Sequence, residues 1–458
     1  MTSSDAAAPF LEKPYMLDLF AGPGGLDVAA HMLGVQSLGI EWDKNACDTR
    51  YKAGLETWHA DVSAVRRDRF DELPAELNVL AGGPPCQTYS VAGHGAGRRA
   101  LGEVEKLIHA LIEGSSDEEI DAQLEELEKL TGDHRTTLVL EPLRYAIKAL
   151  SCEKRGNRPF DVIVLEQVPQ VKNLWKVYKE ALEKGLPGTD GTRVKYKVAE
   201  VATLHTEAYG VPQSRRRTIL IARLAEHGSP RLPRPTHHTF SPHNPALGGP
   251  DDEKVMAQPC QTALPVAEGT TPLKPWVSMG EVLGVKSGPE RRKVPFQIRS
   301  NYSTGGVSEN RGIRTDRQPS FTVTGKVSRN AVQHPDLSPH HPERLSIREA
   351  GVLQTFPPDY PWSSGDQSQQ VGNAVPPLFG MHVLASALSL PTAAEERFRD
   401  AWKVPTPEDH VLLRKKGGCD IPEVGCGPNC PKPEDQSSLS TSSAARPRTA
   451  ASAKSSAK

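Results

Sequence analysis

Short apolar segments separated by turn residues recur through the first half of the chain. The segment YMLDLF is a strand candidate that leads through AGPGG into LDVAAHMLG, where the apolar residues have helical spacing. SLGIEW, LNVLAGG, FDVIVLEQV and TILIAR are further apolar runs, with turns at their ends and helical stretches between several of them. This alternation predicts an α/β fold, doubly wound around a mostly parallel sheet.

The pattern changes near residue 224, where the chain becomes rich in Pro, His and Gly and carries short β-like pieces such as FTVTGKV. We expect a second, loop-rich domain there. Further on, RLSIREAGVLQTFP predicts a helix with Ser346 as its N-cap and Glu349 completing a capping box. The first residues and those from about 431 have the composition of disordered ends.

An acidic insert interrupts the first domain at about residues 98–135. Residues 113–128 hold eight acids and no Lys or Arg, while Ile120, Leu124 and Leu127 fall at i, i+4 and i+7. This spacing predicts an amphipathic helix with an exposed acidic face. A solvated surface is the simpler interpretation of that face, and a partner site is the alternative.

Charge and cysteine content narrow the class of protein. The 458 residues suggest two to three domains, and 55 Lys and Arg balance 56 Asp and Glu, although residues 290–348 carry eleven basic residues against five acidic ones. This local excess of positive charge favours binding to phosphate groups.

Seven scattered cysteines, with no signal-peptide or membrane-spanning pattern, predict a reduced, cytoplasmic protein. Cys419, Cys426 and Cys430 lack a convincing fourth ligand, so no metal is predicted.

Cys86 is the strongest candidate for chemistry. It follows the apolar run VLAGG and the stiff Pro84-Pro85 pair, which would fix a cysteine just past a strand end as a nucleophile. A buried free cysteine is the alternative, but the polar and turn-forming neighbours make a poor core.

Other candidates lie at the ends of the same predicted strands. Glu166 ends the run FDVIVL and should project at the sheet edge that carries Cys86, as a general acid or as a structural carboxylate. Arg215 and Arg217 alternate with Arg216, so two arginines would face the site, unless they form a solvated basic edge.

A glycine-rich turn at the first strand end predicts a binding site for an adenosine-containing cofactor. Glu41 and Trp42 end the second strand, where a carboxylate can accept ribose hydroxyls and an indole can stack on adenine, and Asp61 could read the adenine amino group. The spacing is not that of a dinucleotide fold, because Asp27 stands where the third glycine belongs. An ordinary tight turn remains the alternative for the glycines alone.

Taken together and in order, these motifs resemble the cytosine-5 DNA methyltransferases from about residue 15 to about 390. The motifs are DLFAGPGG, Glu41-Trp42, GGPPCQ, the Glu166 strand, VPQSRRR, RLSIREAGVLQTFP and VGNAVPP. The resemblance implies a Rossmann-like methyltransferase domain that uses S-adenosyl-L-methionine, and a smaller, loop-rich target-recognition domain. It divides the chain into a leader (1–13), a catalytic domain (14–223), a recognition domain (224–340), a return to the catalytic domain (341–392), an extension (393–430) and a tail (431–458).

The resemblance also implies roles for single residues. Cys86 would add to cytosine C6, Glu166 would protonate N3, and Arg215 would steady the base at O2, with Arg217 and Gln213 in support. The base would be flanked by Pro85, Gln87 and Ser90. The cofactor would lie against Phe20, Gly22, Gly24, Glu41, Trp42, Asp61, Val62, Asn373 and Val375. Two positions depart from the family pattern: Gln167 replaces the usual asparagine, and Ala374 replaces a common serine.

Three rival functions share part of this pattern. A zinc deaminase would need a second cysteine where Tyr89 stands, which excludes it. An RNA cytosine methyltransferase on the same scaffold and a non-catalytic DNA-binding protein remain as alternatives. The expected partner is double-stranded DNA, with no membrane, for a monomer that could accompany a cognate restriction endonuclease.

Overall fold

The computed structural model describes residues 10–85, 95–131, 134–240, 272–284, 295–300, 312–334, 343–363 and 365–402. Its strands are β1 Tyr15–Leu19, β2 Gln36–Glu41, β3 Thr57–His59, β4 Val79–Gly82, β5 Val162–Gln167, β6 Leu186–Pro187, β7 Arg193–Val194, β8 Tyr196–Val198, β9 Ala202–His205, β10 Arg216–Leu224, β11 Gln297–Ser300, β12 Ile313–Thr315, β13 Asn330–Gln333 and β14 Glu343–Arg344. Its helices are α1 Gly25–Met32, α2 Lys44–Ala53, α3 Val62–Asp68, α4 Gly95–Glu113, α5 Asp117–Thr131, α6 Glu141–Ala149, α7 Lys172–Lys184, α8 Met279–Leu283, α9 Ile347–Leu353, α10 Gln367–Asn373 and α11 Pro377–Leu388.

The main sheet has the strand order β3-β2-β1-β4-β5-β10-β8, with β9 also paired to β10. The strands from β3 to β5 are parallel, whereas β10 runs antiparallel to β5, β8 and β9. The predicted α/β class is therefore confirmed, with an antiparallel edge on a parallel sheet. The carboxyl ends of β1, β2, β4 and β5 lie along one edge, where such folds bind ligands.

Alternating side chains of the central strands enter two separate cores. Leu17 and Leu19 of β1 and Leu80 of β4 pack into one core, while Met16 and Val79 pack into the other. Because successive residues of a strand point to opposite faces, a strand buried on both faces is apolar at nearly every position. This explains why the sequence shows continuous apolar runs here.

The acidic insert forms two helices, α4 and α5, that pack on the first core. Ile120, Leu124 and Leu127 are buried, as the helical spacing predicted. The buried guanidinium of Arg66 on α3 lies 2.6 Å from an Asp117 oxygen, at the start of α5. The insert is thus an integral layer of the domain with an acidic outer surface.

The described part of the second region forms a small sheet in the order β12-β11-β13-β14. Its core includes Met279, Phe296, Ile298 and Val332. The prediction that FTVTGKV is β-like was wrong: residues 321–326 join no ladder, and a short 3-10 turn follows at 327–329. Side chains of the main domain, rather than another strand, bond this backbone, as described below.

The end of the described chain returns to the main sheet through α9, α10 and α11. The predicted capping box of Ser346 and Glu349 is confirmed at the start of α9. Residues 367–388 are long and apolar enough to span a membrane by composition, but most of that stretch is buried inside the molecule. The stretch is divided into α10 and α11, and α11 packs as a core helix.

Candidate active site

A cavity of about 840 Å³ opens at the carboxyl ends of β1, β2, β4 and β5. Separate stretches of chain line it, chiefly within residues 18–26, 41–46, 61–62, 83–85, 166–168 and 369–375. The sequence motifs that lie far apart along the chain therefore meet in one cavity. Its lining includes Phe20, Gly22, Glu41, Trp42, Asp61, Val62, Pro85, Glu166, Arg217, Asn373 and Val375 among the predicted site residues.

The glycine turn and Glu41 form one side of the cavity. The backbone N–H groups of Gly22 and Asp43 donate to the two Glu41 carboxylate oxygens, each at 2.7 Å. Burial raises the pKa of Glu41, although these two bonds oppose the rise. Gly22 has a φ of 54°, and no atom lies within 4 Å of the position that a Cβ would take. The Glu41 carboxylate thus lies beside open space at Gly22, where a polar ligand could contact both the carboxylate and the backbone.

The neighbouring glycines serve packing. Gly24 is not among the residues that line the cavity, and a Cβ on it would lie 2.2 Å from Leu55 Cδ1. A Cβ on Gly25 would lie 2.2 Å from the Val375 carbonyl oxygen. Only glycine lets the start of α1 approach the 372–375 segment this closely.

Trp42 and Asp61 flank Glu41 in the lining. Trp42 is 70% exposed, which is exceptional for so large a side chain in a folded protein. Asp61 caps α3, because its side chain accepts a bond from the Ala64 N–H at 2.9 Å. An exposed ring and a carboxylate at the mouth of a cavity suit a flat, polar group such as adenine.

The opposite side of the cavity carries Glu166 at the end of β5. Arg217 Nε lies 2.5 Å from Glu166 Oε1, and this oxygen is buried without an aligned hydrogen bond from any described residue. A Cβ on Gly83 would lie 3.3 Å from Glu166 Oε2, so the glycine keeps space beside the carboxylate. Pro84 and Pro85 line the cavity next to them. Cys86, Gln87 and Ser90 lie outside the described residues.

Gln167 joins the strand end to the proline segment. Its amide nitrogen donates to the Pro84 carbonyl, and its amide oxygen accepts the Val168 N–H at 2.6 Å. The side chain that replaces the usual asparagine thus bonds the segment that leads directly to Cys86.

Arg215 and Gln213 do not line the cavity, which corrects the expectation that two arginines face it. Both side chains are buried, and Arg215 donates to the carbonyls of Val323, Gly372 and Ala374. The alternation argument failed because β10 begins at Arg216, so Arg215 precedes the regular strand. Arg217 is the arginine that reaches the cavity.

The model of the C-5 cytosine-specific DNA methylase family matches residues 15–112 and 160–388. The chain belongs to this family. It is a DNA cytosine-5 methyltransferase.

Relatives of this methylase include two type II methyltransferases. M1.HphI of Haemophilus parahaemolyticus is 26% identical over 392 residues, covering 82% of this chain and 87% of its own. M.PspPI of a Psychrobacter strain is 26% identical over 381 residues, covering 79% and 76%. The crystal structure of the S. pombe Dnmt2 methyltransferase aligns with a TM-score of 0.48 at 15% identity, over 82% of this chain and 98% of that one.

The cavity of this methylase also contains residues that the sequence did not single out. Asp18, Arg135, Leu138 and Gln369 line it, and Gln369 Nε2 donates to Asn373 Oδ1 at 3.1 Å. Asp18 lies inside β1, as the first residue of the DLFAGPGG motif. Arg135 lies at the end of the acidic insert, where no local pattern indicates a site residue. Ala374, the second departure, is buried and offers no side-chain polar atom to the cavity.

Proposed function

We propose that this methylase transfers a methyl group to C5 of a cytosine flipped out of double-stranded DNA, through a covalent bond between Cys86 Sγ and C6. The observation that carries the proposal is that the buried Glu166 carboxylate, paired with Arg217, lies in the same cavity as the Glu41 side. One cavity can thus hold an adenosine-containing methyl donor and a pyrimidine ring together.

The Glu41 side fits S-adenosyl-L-methionine. The Glu41 carboxylate would bond ribose hydroxyls, the Trp42 ring would stack on adenine, and Asp61 would bond the adenine amino group. Phe20, Gly22, Val62 and Val375 would give apolar and backbone contact, and Asn373 would meet the polar amino-acid end. When bound, this donor supplies a methyl group on a positively charged sulfur.

The Glu166 side fits cytosine. Glu166 would bond N3, and Arg217, held 2.5 Å from its carboxylate, would bond the O2 oxygen. This assigns to Arg217 the base-steadying role that the resemblance suggested for Arg215. Pro85 lies against the cavity as the residue before Cys86, and Gln87 and Ser90 remain proposed base contacts.

The proposed reaction conserves atoms and charge on the base. The Cys86 thiolate forms a bond to C6 while N3 takes a proton from Glu166, which makes C5 nucleophilic. C5 would then accept the methyl group as its bond to the donor sulfur breaks, and C5 would lose its proton to a base. The Cys86 sulfur would leave as a thiolate while the ring double bond returns, and N3 would give its proton back to the Glu166 carboxylate. Duplex stacking blocks attack on the ring face, so the cytosine must leave the helix.

Two further features of the proposal concern partners. We expect a monomer that acts on duplex DNA, and the type II relatives support a role beside a cognate restriction endonuclease. The small sheet and the basic 290–348 region would hold the recognition contacts.

The test is bisulfite sequencing of DNA from cells that express the chain, together with Cys86→Ser. Wild type should create 5-methylcytosine at one sequence. Cys86→Ser should abolish transfer and keep cofactor affinity within about threefold. Absence of new 5-methylcytosine from a folded protein that binds the cofactor would refute the proposal. A covalent adduct between Cys86→Ser and 5-fluorocytosine DNA would show that another residue is the nucleophile.

A further inference from the structure

Arg215 is a buried cation held only by carbonyl oxygens within the described chain. It is 2% exposed, and its Nη1 donates to the Val323 carbonyl at 2.8 Å. Its Nη2 donates to the carbonyls of Gly372 and Ala374, both at 3.1 Å. One guanidinium therefore joins the segment before the small sheet's β13 to the segment that lines the cavity.

Gln213 and Gln354 complete this junction, which we define as Gln213, Arg215, Val323, Gln354 and the 371–374 backbone. Gln213 Oε1 accepts the Val323 N–H at 3.0 Å, so both backbone groups of Val323 are bonded by the main domain. Gln213 Nε2 donates to Gln354 Oε1 at 2.6 Å, and Gln354 Nε2 donates to the Val371 carbonyl at 2.6 Å. These bonds explain why 321–326 forms no strand.

The two segments also touch through their backbones. A Cβ on Gly372 would lie 2.0 Å from the Gly325 nitrogen, and a Cβ on Gly325 would lie 2.2 Å from Gln369 Oε1. Gln369, Asn373 and Val375 all line the cavity. The 323–325 segment thus packs directly against the segment that lines the cavity.

We propose that Arg215 is a positioning residue that couples cofactor binding to DNA binding, by fixing the recognition segment at Val323 to the cavity segment at 372–374. This rests on the proposed function, in which the cavity takes S-adenosyl-L-methionine and the small sheet faces DNA. A ligand that selects one position of the 372–374 segment selects the matching position of Val323. Coupling of this kind is reciprocal, so DNA must raise cofactor affinity by the factor by which cofactor raises DNA affinity.

The planar guanidinium is what this role requires. Its two Nη groups reach carbonyls on opposite sides of the junction, whereas a lysine ammonium is a single point charge. Burial and the nearby charge of Arg217 lower the pKa of Arg215, so the site is unfavourable for an ion that is not held by oriented acceptors.

Arg223, near the end of β10, offers a matched control. It is also a buried arginine with carbonyl and hydroxyl acceptors, bonding Ala387 O at 2.7 Å, Ser386 O at 2.7 Å and Ser389 Oγ at 2.9 Å. All three acceptors lie at the end of α11, away from the cavity and the small sheet. Arg223→Lys should lower stability without altering the coupling.

The experiment measures the dissociation constant of S-adenosyl-L-homocysteine with and without a duplex bearing the methylated sequence. In wild type we expect DNA to tighten this binding by about five- to 150-fold, the usual range of such coupling. Arg215→Lys should reduce the factor to within about twofold of unity, with binary affinities changed less than about threefold. Arg223→Lys should keep the wild-type factor.

Several results would overturn the inference while leaving the methylation proposal intact. The first is the absence of coupling in wild type, and the second is full coupling in Arg215→Lys. The third is a loss of cofactor affinity in Arg215→Lys by the same factor with and without DNA. If Arg215→Lys fails to fold, Gln213→Leu decides, because it removes the bonds from the Gln213 side chain to the Val323 N–H and to Gln354. Retained coupling in Gln213→Leu would refute the role of the junction. Failure of wild type to bind the cofactor product would instead contradict the proposed function.

Discussion

At the scale of single residues, the buried charged side chains of Asp18, Asp27 and Arg50 lie next to the glycine turn. Asp27 and Arg50 form a fully buried ion pair, with Asp27 Oδ2 2.5 Å from Arg50 Nη1. Asp18 lies beside this pair at the cavity floor and is 2% exposed. Burial raises the pKa of Asp18 well above its usual range, and the Asp27 carboxylate adds to the rise. A protonated Asp18 can donate to Asp27 without leaving an unpaired buried charge.

This arrangement predicts the pH dependence of an Asp18→Asn variant. A raised folded-state pKa contributes stability that is present below about pH 4 and is lost as the pH rises through the folded pKa. Asparagine keeps a donor for Asp27 but cannot ionise. Relative to wild type, Asp18→Asn should therefore become progressively more stable as the pH rises from about 4 to 8, as measured by urea unfolding.

Asp71→Asn is the control for this experiment. Asp71 is exposed, and hydrogen bonding and charge from Lys154 lower its pKa, so the sign of its small effect should be opposite. A pH-independent difference between wild type and Asp18→Asn would contradict the assigned protonation of Asp18.

At the scale of elements, α5 shows how the acidic insert belongs to the domain. Its inner face carries Ile120, Leu124 and Leu127, while Asp117 and Asp121 at its start meet the buried arginines of α3 and α6. Arg144 Nη1 lies 2.7 Å from Asp121 Oδ1. Part of the acidity that the sequence displays therefore balances buried guanidinium groups rather than facing a partner.

Ile120→Ala should consequently destabilise the whole domain. Ile120 is fully buried, and truncation of a core isoleucine costs about 2–5 kcal/mol. Glu118→Ala, two residues earlier on the exposed face, should change the free energy of unfolding by less than about 0.5 kcal/mol. The measurement is denaturant unfolding of both variants. Equal effects of the two substitutions would show that α5 is only loosely attached.

Local patterns in the sequence predict helices and strands better than they predict which residues each side chain contacts. The strands β1, β2, β4 and β5 and the α9 capping box are encoded by contiguous apolar runs and cap residues, so they were visible. The bonding partners of Arg215 could not be predicted from local sequence, because its acceptor Val323 is 108 residues away in the region that carries the small sheet. The same separation hid the non-strand conformation of 321–326, whose backbone partners are side chains of Gln213 and Arg215.

At the scale of the whole molecule, α11 packs against the 236–238 segment in a buried contact, which we call the α11 seam. His382 of α11 and His237 are both buried, and the ring of His382 lies 5.4 Å from that of Tyr209. The Tyr209 hydroxyl donates to the Pro233 carbonyl at 3.0 Å, and the 236–238 segment bonds Lys274. These contacts attach the chain that leads toward the small sheet to the second core.

The two histidines make this attachment sensitive to acid. Burial, assisted by the charge of Lys274, lowers the pKa of His237 and of His382 to about 4 each, while Glu281 opposes the shift at His237 and Glu395 opposes it at His382. A lowered histidine pKa gives stability that is present above about pH 6.5 and is lost as the pH falls toward 4. Each histidine should then cost on the order of 3 kcal/mol across that range.

His382→Gln tests this origin of acid sensitivity, because glutamine cannot take up a proton. Between pH 6.5 and 4 the unfolding free energy of wild type should fall by about 1.4 kcal/mol per pH unit for each buried histidine, and the variant should lack one such contribution. The control Tyr209→Phe, which removes the bond to the Pro233 carbonyl without changing a histidine, should lower the free energy of unfolding and keep the wild-type slope. If His382→Gln retained the full wild-type slope, the protons that destabilise the protein would bind to groups outside the α11 seam.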